Sequence, residues 1–296
     1  MKIAVILTCF NRKKQTISCL EQLYQSVEKY DKKNIELSVF LTDDGCTDGT
    51  SDAIKENFAG RDITILKGNG NLFWAGGMRL AWNAALAKGS DWDFYLLLND
   101  DTDLLDNTFY ELFTTHKYCI EKYGKAGIYS GITSAKSDHH KTTYGGDIWT
   151  NKLLAKSRRL KPSGIPQKCD MTNANILLVS KEVVLEMGIF SDAYTHGMAD
   201  YDYSMKANKC GFPVLVTGNI CGRCENDHKS PEELAKHILE MSLKERKVYF
   251  NHPLHSNKEH LKFIRKHSPV RYPLVALGRF LNLYFPKVYY LLSGIR

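Results

Sequence analysis

The feature that most constrains the fold is a regular alternation of short apolar runs and helix-period stretches in the first 105 residues. Each apolar run has the length of one β-strand, and the four runs span residues 2–10, 35–42, 62–68 and 93–99. The segment between the first two runs has one apolar helical face, formed by Ile17, Leu20, Tyr24 and Val27. Alternation of this kind predicts an α/β fold, in which helices cover both faces of a mostly parallel sheet.

Polar, turn-forming residues follow each of the four predicted strands. In open sheets of this class, ligands bind beyond the carboxyl ends of the strands. The segments at those ends are 8–12, 42–50, 68–82 and 99–103. Asp, Asn and Gly are also the usual turn formers, so one such loop alone would indicate only a turn. Four in succession along one edge of the sheet favour a binding site.

The fourth predicted strand ends in a cluster of carboxylates. A run of leucines precedes Asp100, Asp101 and Asp103. Like charges this close repel each other, so the cluster destabilises the fold unless a cation or a turn accounts for it. The end of this strand is therefore predicted to be either a cation site or a turn.

The composition is that of a globular protein. Of the 296 residues, 43% are hydrophobic and 25% are charged, which is the usual balance of soluble domains. No segment approaches the roughly 20 apolar residues that a membrane-spanning helix needs. The apolar N-terminus runs directly into Asn11 and Arg12 without a small-residue cleavage site, so we expect a first strand there rather than a signal peptide.

Cysteine usage indicates a reducing compartment. The eight cysteines are scattered through predicted strands and helices, which favours reduced thiols in a cytosolic protein. Cys221 and Cys224 form a CxxC motif. Because no second pair accompanies it, and no thioredoxin-like βαβ unit surrounds it, we expect this spacing to be incidental.

The positive charge of the chain is concentrated at its C-terminal end. Residues 246–296 contain ten Lys or Arg and a single acid, Glu259, whereas the preceding residues carry a net charge of −2. The last part of this segment mixes apolar and aromatic residues with basic ones: Arg271, Arg279, Lys287 and Arg296. This pattern favours a helical segment at an anionic membrane surface. Packing on the catalytic domain, or a contact in a homodimer, is an equal alternative, and nothing in the chain indicates a nucleic-acid partner.

The middle of the chain is less regular. Strands are predicted at residues 126–134, 142–148 and 173–180, and a mobile basic loop at 151–168. Two helices are predicted to end at glycines, one at Gly188 and the other at Gly211.

Seven short motifs carry a resemblance to a known family. In chain order they are TCFNR, TDDGCTDGT, GGMR, NDDT, NAN, MADYD and DHKS. This series resembles glycosyltransferase family 2, the inverting enzymes of GT-A fold, and is most similar to the bacterial surface-polysaccharide branch that includes rhamnosyltransferases. The resemblance covers roughly residues 1–230. It implies a GT-A domain with a nucleotide-binding half at 1–105 and an acceptor half at 106–230, followed by a helical, basic and aromatic extension at 231–296.

The resemblance implies where the nucleotide of a sugar donor binds. Carried over from the family, Thr8, Asn11 and Arg12 line the pocket for the base, and Asp43 hydrogen-bonds the base or the ribose. A carboxylate accepts hydrogen bonds from base N–H groups and sugar hydroxyls, and an Arg can neutralise or stack. In the glycine-rich loop, Asn71 and Arg79 are candidates for binding the diphosphate or the sugar, although Arg79 would equally suit a salt bridge on a helix surface.

The family's metal-binding Asp-x-Asp motif corresponds to Asn99, Asp100 and Asp101. The resemblance implies that Asp101 is the chief ligand of Mn²⁺ or Mg²⁺, with Asn99 and Asp100 near the ribose or diphosphate. His228 matches the position of a family His that completes the metal or diphosphate site. The Asn departs from the family motif, and Asp103 is expected to be a turn or cap residue.

The resemblance also implies the catalytic base. An inverting transferase needs a group that deprotonates the acceptor hydroxyl. The family has an acidic pair at the start of a helix, whereas this chain has Ala199 followed by Asp200. We therefore assign Asp200 as the base, with a helix N-cap as its alternative role. Asp202 is expected to support the start of the helix.

These features predict an inverting, metal-dependent glycosyltransferase of bacterial surface-polysaccharide synthesis. The expected donor is a UDP- or dTDP-linked sugar, and the expected acceptor is a hydroxyl of a glycan or a lipid-linked glycan. The expected location is the cytoplasm, with a peripheral position on the inner face of the cell membrane left open. The alternatives are a sugar-nucleotide or glycan-binding protein without turnover, and a nucleotidyltransferase, which would be expected to carry glycines near the first strand.

Overall fold

The protein was analysed as a computed structural model that describes residues 1–31, 34–89, 91–226 and 229–294. The strands in this part of the chain are β1 Lys2–Cys9, β2 Glu36–Asp43, β3 Ile63–Lys67, β4 Phe94–Leu98, β5 Asp103–Leu104, β6 Ile128–Ser134, β7 Gly146–Asn151, β8 Lys156–Arg159, β9 Gln167–Lys168, β10 Met171–Thr172, β11 Ile176–Ser180 and β12 Val214–Arg223. The helices are α1 Lys13–Asp31, α2 Thr50–Asn57, α3 Phe73–Lys88, α4 Thr108–Tyr123, α5 Lys181–Met187, α6 Ala199–Lys209, α7 Pro231–Glu240, α8 Leu243–Asn251, α9 Asn257–His267, α10 Tyr272–Tyr284 and α11 Pro286–Ser293.

Within the described residues, nine strands form one mixed sheet. The order is β3-β2-β1-β4-β11-β6-β12-β5, and β9 pairs with β12 beside this path. Neighbours from β3 to β4 are parallel, as are β6 and β12, whereas β11, β5 and β9 run antiparallel to their partners. The prediction of a mixed, mostly parallel α/β sheet is confirmed, and the N-terminal segment is a central strand.

Helical layers cover both faces of this sheet. In β1, Ala4 and Ile6 face a core formed with α3, α5, α6 and α9, whereas Ile3, Val5 and Leu7 face a core formed with α1 and α4. All five side chains are fully buried. Burial on both faces explains why the first strand is a continuous apolar run instead of an alternating one.

The segment 151–168, predicted to be a mobile loop, contains ordered strands. β8 forms a hairpin with β7, and the same small sheet includes β10. The side chain of Arg159 holds the hairpin, because its Nε and Nη2 atoms each lie 2.9 Å from an oxygen of Asp147. Arg159, one of the basic residues on which the loop prediction was based, is therefore fixed by a bidentate ion pair with Asp147. Asp103 also differs from expectation, since it begins β5 and pairs with Lys136 instead of forming a turn.

Close packing of α3 on β1 requires one of the glycines in the GGMR motif. A β-carbon on Gly77 would lie 2.1 Å from the Thr8 hydroxyl oxygen. The Thr42 hydroxyl also donates to the Gly77 carbonyl at 2.8 Å. A larger residue would push the helix away from the ends of β1 and β2, where the predicted site lies.

One buried carboxylate shapes the loop before α3. The oxygens of Asp44 accept hydrogen bonds from the backbone amides of Gly70, Leu72 and Phe73 at 2.9 to 3.0 Å. A β-carbon on Gly68 would approach an Asp44 oxygen to 2.4 Å. Asp44 therefore shapes this loop, and its carboxylate is satisfied by the amides of the glycine-rich segment.

The five C-terminal helices pack on the catalytic part of the chain through α9. Asp202, buried at the start of α6, accepts hydrogen bonds from His267 Nε2 at 2.7 Å and from the Tyr194 hydroxyl at 3.1 Å. The Lys266 ammonium lies 2.7 Å from the same carboxylate. A second link joins Glu259 to the backbone amide of Thr195 at 2.9 Å. Asp202 thus anchors the extension to α6.

Candidate active site

A cleft of about 560 Å³ opens at the carboxyl ends of β1 and β4. The chain leaves β1 towards β2 and β3 on one side and returns to β4 on the other, so this is the point at which the strand order reverses. Ligands of open α/β sheets bind at such points. Predicted residues that line the cleft are Thr8, Arg12, Asn99, Asp100, Asp101 and Asp200.

Arg12 bridges the two aspartates that follow β4. Its Nη1 atom lies 2.6 Å from Asp101 Oδ2 and 3.2 Å from Asp100 Oδ1. The Thr16 hydroxyl donates to the other oxygen of Asp100 at 3.3 Å. Asp100 is buried, whereas Asp101 is partly exposed towards the cleft. The structure therefore places Arg12 on the carboxylate cluster and supplies the cation that this cluster requires.

Burial makes ionisation of Asp100 unfavourable. It raises the pKa of this carboxyl to about 6, although the positive charge of Arg12 acts in the opposite direction. The neighbouring charge of Asp101 adds to the increase. Carboxyls with raised pKa values in a cleft are typical of functional sites.

Asn99 is held by the wall of the cleft. Its side-chain oxygen accepts a hydrogen bond from the Trp74 indole at 2.8 Å, and its backbone amide donates to the Asn175 carbonyl at 3.1 Å. Because the first residue of the motif is Asn99, its side chain can form hydrogen bonds without adding a third negative charge beside Asp100 and Asp101.

Asp200 lies on the opposite side of the cleft, in the first turn of α6. Its carboxylate accepts hydrogen bonds from the amides of Tyr201 at 2.9 Å and Ala174 at 3.2 Å. Burial raises its pKa to about 6 despite these bonds. Met198, the residue before the first residue of α6, has a φ of 70°, a left-handed conformation that costs energy for a residue with a side chain. The helix therefore begins at a strained residue that directs this half-buried carboxylate into the cleft.

Two predicted nucleotide-binding residues tie the loops after β1 and β2 together. The Asn11 side-chain oxygen accepts from the Thr47 amide at 2.7 Å, and Asp43 accepts from the Cys46 amide at 2.7 Å and from the Ser51 hydroxyl. Burial opposes ionisation of Asp43, but these hydrogen bonds outweigh it and the pKa is lowered. Asn11 and Asp43 therefore lie at the border of the cleft, whereas Thr8 lines it.

The structure places two other candidates away from the cleft. Asn71 is exposed and hydrogen-bonds within its own loop, to Asn69. Arg79 donates to the carbonyls of Ser191 at 3.0 Å and Tyr194 at 2.7 Å. Arg79 thus fixes the segment that leads to α6, and its effect on the site is through that segment. His228 lies outside the described residues.

Several residues in the wall of the cleft were not assigned from the sequence. Asn173, from the NAN motif, donates to the Tyr201 hydroxyl at 3.1 Å. The remaining wall residues include Trp74, Tyr144, Arg159, His196 and Glu225. The NAN motif was the one available signal. Arg159 and Glu225 reach the cleft from distant parts of the chain, and no local pattern marks them.

The chemistry of the described residues fits a divalent cation. Asp100 and Asp101 present adjacent carboxylates, which are hard oxygen ligands of the kind Mn²⁺ and Mg²⁺ use. Among residues 1–226 and 229–294, apart from the gaps at 32–33 and 90, no group of three His, Cys, Asp or Glu converges on one point.

The fold is that of an α/β protein with a cleft at the point where the strand order reverses, and the sequence identifies the family. Residues 4–172 match the family described as Glycosyl transferase family 2. The match covers more than half of the chain, so the protein belongs to this family of glycosyltransferases. No curated protein matches the sequence significantly.

Several solved structures have the same fold. Residues 1–349 of S. aureus TarS match at 17% identity and a TM-score of 0.51, over 96% of this chain and 81% of that one. TarS in complex with UDP-GlcNAc matches at 14% identity and 0.52, over 96% and 79%. The mannosyltransferase PcManGT from Pyrobaculum calidifontis, in complex with GDP-Man and Mn²⁺, matches at 16% identity and 0.53, over 99% and 83%. The GT-A-like architecture is thereby confirmed.

Replacing Asp100 with Asn should stabilise the fold in a pH-dependent way. The carboxyl has an ordinary pKa of 3.8 and a folded-state pKa of about 6, so the folded state binds the extra proton between these values. The free energy of unfolding then falls as the pH rises through this window. We expect Asp100→Asn to raise it by about 1–3 kcal/mol at pH 8 and by little at pH 4, measured by urea denaturation. Asp52→Asn, an exposed carboxylate on α2, serves as the control. Destabilisation at pH 8 would contradict the expectation.

Proposed function

We propose that the protein is an inverting glycosyltransferase that moves a sugar from a nucleotide-diphosphate donor to an acceptor hydroxyl in bacterial surface-polysaccharide synthesis. The observation that carries this proposal is the pairing of two sites across one cleft. Arg12, Asp100 and Asp101 lie on one side, and the half-buried carboxylate of Asp200 lies on the other. One side suits the diphosphate and the other suits the attacking hydroxyl.

The donor is proposed to be a UDP- or dTDP-linked hexose or rhamnose. Structures with the same fold hold UDP, UDP-GlcNAc or GDP-Man. In this chain the base would lie beside Thr8 and the loop of Asn11, with the ribose towards Asp43. Arg12 is placed to exchange the carboxylates for diphosphate oxygens, because a guanidinium forms charge-assisted hydrogen bonds with both.

Asp200 is proposed to act as the base. Its carboxylate accepts the proton of the acceptor hydroxyl while the hydroxyl oxygen attacks the anomeric carbon from the face opposite the leaving group. The new glycosidic bond forms as the bond to the diphosphate breaks, and the configuration inverts. A pKa of about 6 leaves this carboxylate ionised near neutral pH yet more basic than an ordinary aspartate.

Departure of the nucleoside diphosphate leaves negative charge near Arg12. Its guanidinium can stabilise that charge without a change of protonation. A divalent cation held by Asp101, with Asp100 close by and His228 as a further candidate ligand, would supply Lewis-acid stabilisation of the same leaving group.

Replacing the base should separate binding from transfer. Asp200→Asn keeps the shape and one of the two oxygens that accept from Ala174 and Tyr201. It replaces the other oxygen with an amide NH2, and it cannot take a proton. We expect sugar transfer to fall about 10²–10⁴-fold while the dissociation constant for UDP, measured by calorimetry, stays unchanged. In the wild type the transfer rate should rise with pH through about 6, as Asp200 ionises.

The matched control is Glu186→Gln, an exposed carboxylate on α5. Transfer within a few-fold of wild type in Asp200→Asn would assign the base to another group. UDP binding without release of nucleoside diphosphate from any donor would favour a binding protein instead.

Metal dependence is tested by the linkage between metal and nucleotide. We expect Mn²⁺ to raise the melting temperature of the UDP-bound protein, because a ligand that binds only the folded state stabilises it. Asp101→Asn should abolish this increase and, like EDTA, lower the transfer rate by orders of magnitude. The control is Asp103→Asn, which replaces a carboxylate that pairs with Lys136 outside the cleft. This variant should retain both the increase in melting temperature and the transfer rate. Full activity in EDTA would exclude the metal role.

The last two helices carry an apolar surface. In α10, Leu274 is 71% exposed and Leu277 is 53% exposed, and in α11 Leu291 is 81% exposed. The two helices pack together at Gly278, where an added β-carbon would lie 3.5 Å from Tyr289. No helix among the described residues is long and apolar enough to cross a membrane.

We propose that this apolar surface lies on the anionic inner face of the cell membrane. The basic side chain of Lys247 is beside the surface, with its Nζ atom 5.8 Å from the centre of the Tyr284 ring, and Lys287 is exposed on α11. Basic residues near anionic lipids each contribute about 1 kcal/mol. The remaining part of the chain has a net negative charge, which would turn it away from the membrane.

Charges on the apolar surface should remove membrane binding. We expect Leu274→Glu together with Leu277→Glu to lower co-sedimentation with phosphatidylglycerol vesicles at least tenfold, because buried carboxylates oppose insertion. Leu185→Glu, at an apolar residue of α5 that is 72% exposed, is the matched control. Equal sedimentation of all three proteins would exclude this surface as the membrane contact. A change in oligomeric state of the double variant would indicate a dimer contact instead.

A further inference from the structure

The cleft of Asp200 continues into two further spaces formed by the C-terminal helices. It shares Gly197, Met198 and Leu254 with a neighbouring cavity of about 190 Å³. That cavity shares Leu254 and two further residues, Tyr249 and His255, with an open groove of about 680 Å³ along α8. A continuous path therefore leads from the proposed base to the surface of the extension.

The middle cavity contains a cationic side chain without a partner. Arg279, on α10, lines the cavity and forms no hydrogen bond or ion pair with any described residue. Glu259 lines the same cavity, but its carboxylate accepts from the Thr195 amide. Burial lowers the pKa of Arg279, yet a guanidinium stays protonated in proteins. Arg279 is partly buried, and its guanidinium has no hydrogen-bonded acceptor among the described residues, so it can take an anion as its partner.

A second polar group in the cavity is unsatisfied. The Nδ1 atom of His260 is buried and has no hydrogen-bond partner in the described part of the chain. Burial, followed by the charges of Arg279 and Arg271, lowers the pKa of His260 to about 4. The ring is therefore neutral at physiological pH and can donate one hydrogen bond. Arg279 and His260 together provide the charge and hydrogen-bond donors that a phosphate group requires.

The groove beyond this cavity presents mostly apolar surface. Val248 is 67% exposed and Leu254 is 47% exposed. Tyr249 and His255 form its inner wall, with their rings stacked 4.0 Å apart. Lys244 lies at its rim. Exposed apolar side chains in a groove continuous with a catalytic cleft are typical of a binding site for an apolar group.

We propose that the acceptor is a lipid-linked glycan whose phosphate or diphosphate group binds Arg279 and His260 and whose apolar chain lies in the α8 groove. The argument is the order of the three environments along the path. A base for a hydroxyl comes first, a cation for an anion second, and an apolar surface third. A glycan joined to a lipid through phosphate has its three parts in the same order. This inference rests on the proposed function and names the acceptor class of that site.

The test measures binding of farnesyl diphosphate, with UDP at saturation so that the donor site is filled. We expect this probe to bind the wild type and to bind Arg279→Gln about 10- to 100-fold more weakly, because a charge-assisted contact to a diphosphate is lost. Arg279→Lys should recover part of the affinity. Arg265→Gln, an exposed Arg of α9, is the matched control and should bind as the wild type does.

Two further ligands separate the parts of the site. Farnesol and inorganic diphosphate should each bind at least tenfold more weakly than farnesyl diphosphate, and Val248→Asp should weaken binding of the prenyl compound. Equal binding of inorganic diphosphate would overturn the lipid assignment. Wild-type affinity in Arg279→Gln, or no binding of farnesyl diphosphate by the wild type, would overturn the proposal.

UDP affinity distinguishes this failure from failure of the proposed function. It should be the same in the wild type, Arg279→Gln and Val248→Asp, since neither residue lines the donor side of the cleft. Far-ultraviolet circular dichroism of each variant verifies that the C-terminal helices remain folded. Intact UDP binding with unchanged prenyl-diphosphate binding in Arg279→Gln would reject the acceptor site alone, whereas loss of UDP binding by the wild type would reject the donor site.

Discussion

The ion pairs between Arg12 and the two aspartates after β4 are the interaction on which the site depends. Parallel pairing of β1 with β4 brings the end of one strand beside the end of the other, although 88 residues separate Arg12 from Asp100 in the chain. Without the guanidinium, two adjacent carboxylates at the edge of a buried sheet would repel each other. With it, the repulsion between the two carboxylates is reduced. The same guanidinium is the group that we propose to bind the diphosphate of the donor.

Asp100 and Asp200, the two carboxyls with raised pKa values, lie on opposite sides of the cleft. Their surroundings are unfavourable for different reasons. Asp100 is buried beside a like charge, whereas Asp200 is buried at the start of a helix whose preceding residue has a positive φ. Both conditions lower the stability of the folded state. They persist because the sheet, α6 and the link from Arg79 to the segment before α6 fix the surroundings. The stability of the rest of the fold therefore compensates for the unfavourable free energy of these two carboxyls.

The C-terminal helices form a wall of the path from the cleft as well as an attachment to it. Asp202 anchors α9 through His267 and Lys266, and that anchor fixes the position of α10 with Arg279 relative to Asp200. One basic, apolar segment can then serve two neighbouring purposes, with its outer face suited to lipid headgroups and its inner face to the phosphate of a lipid-linked substrate. Both uses follow from a positive charge concentrated at one end of the chain.

The sequence by itself determined the sheet, its edge and the chemistry at that edge, because strand length, helical periodicity and turn residues are local properties. It therefore located the carboxylate cluster of Asp100 and Asp101 at that edge, whereas Asp200 was assigned through the family resemblance. Only the tertiary structure decided the partners of the charged side chains. Arg12 lies on carboxylates and Arg79 on carbonyls, since each finds its partner far along the chain. The hairpin of Arg159 and the cavity of Arg279 were missed for the same reason. Charge and periodicity show that a residue needs a partner, but long-range packing selects which one.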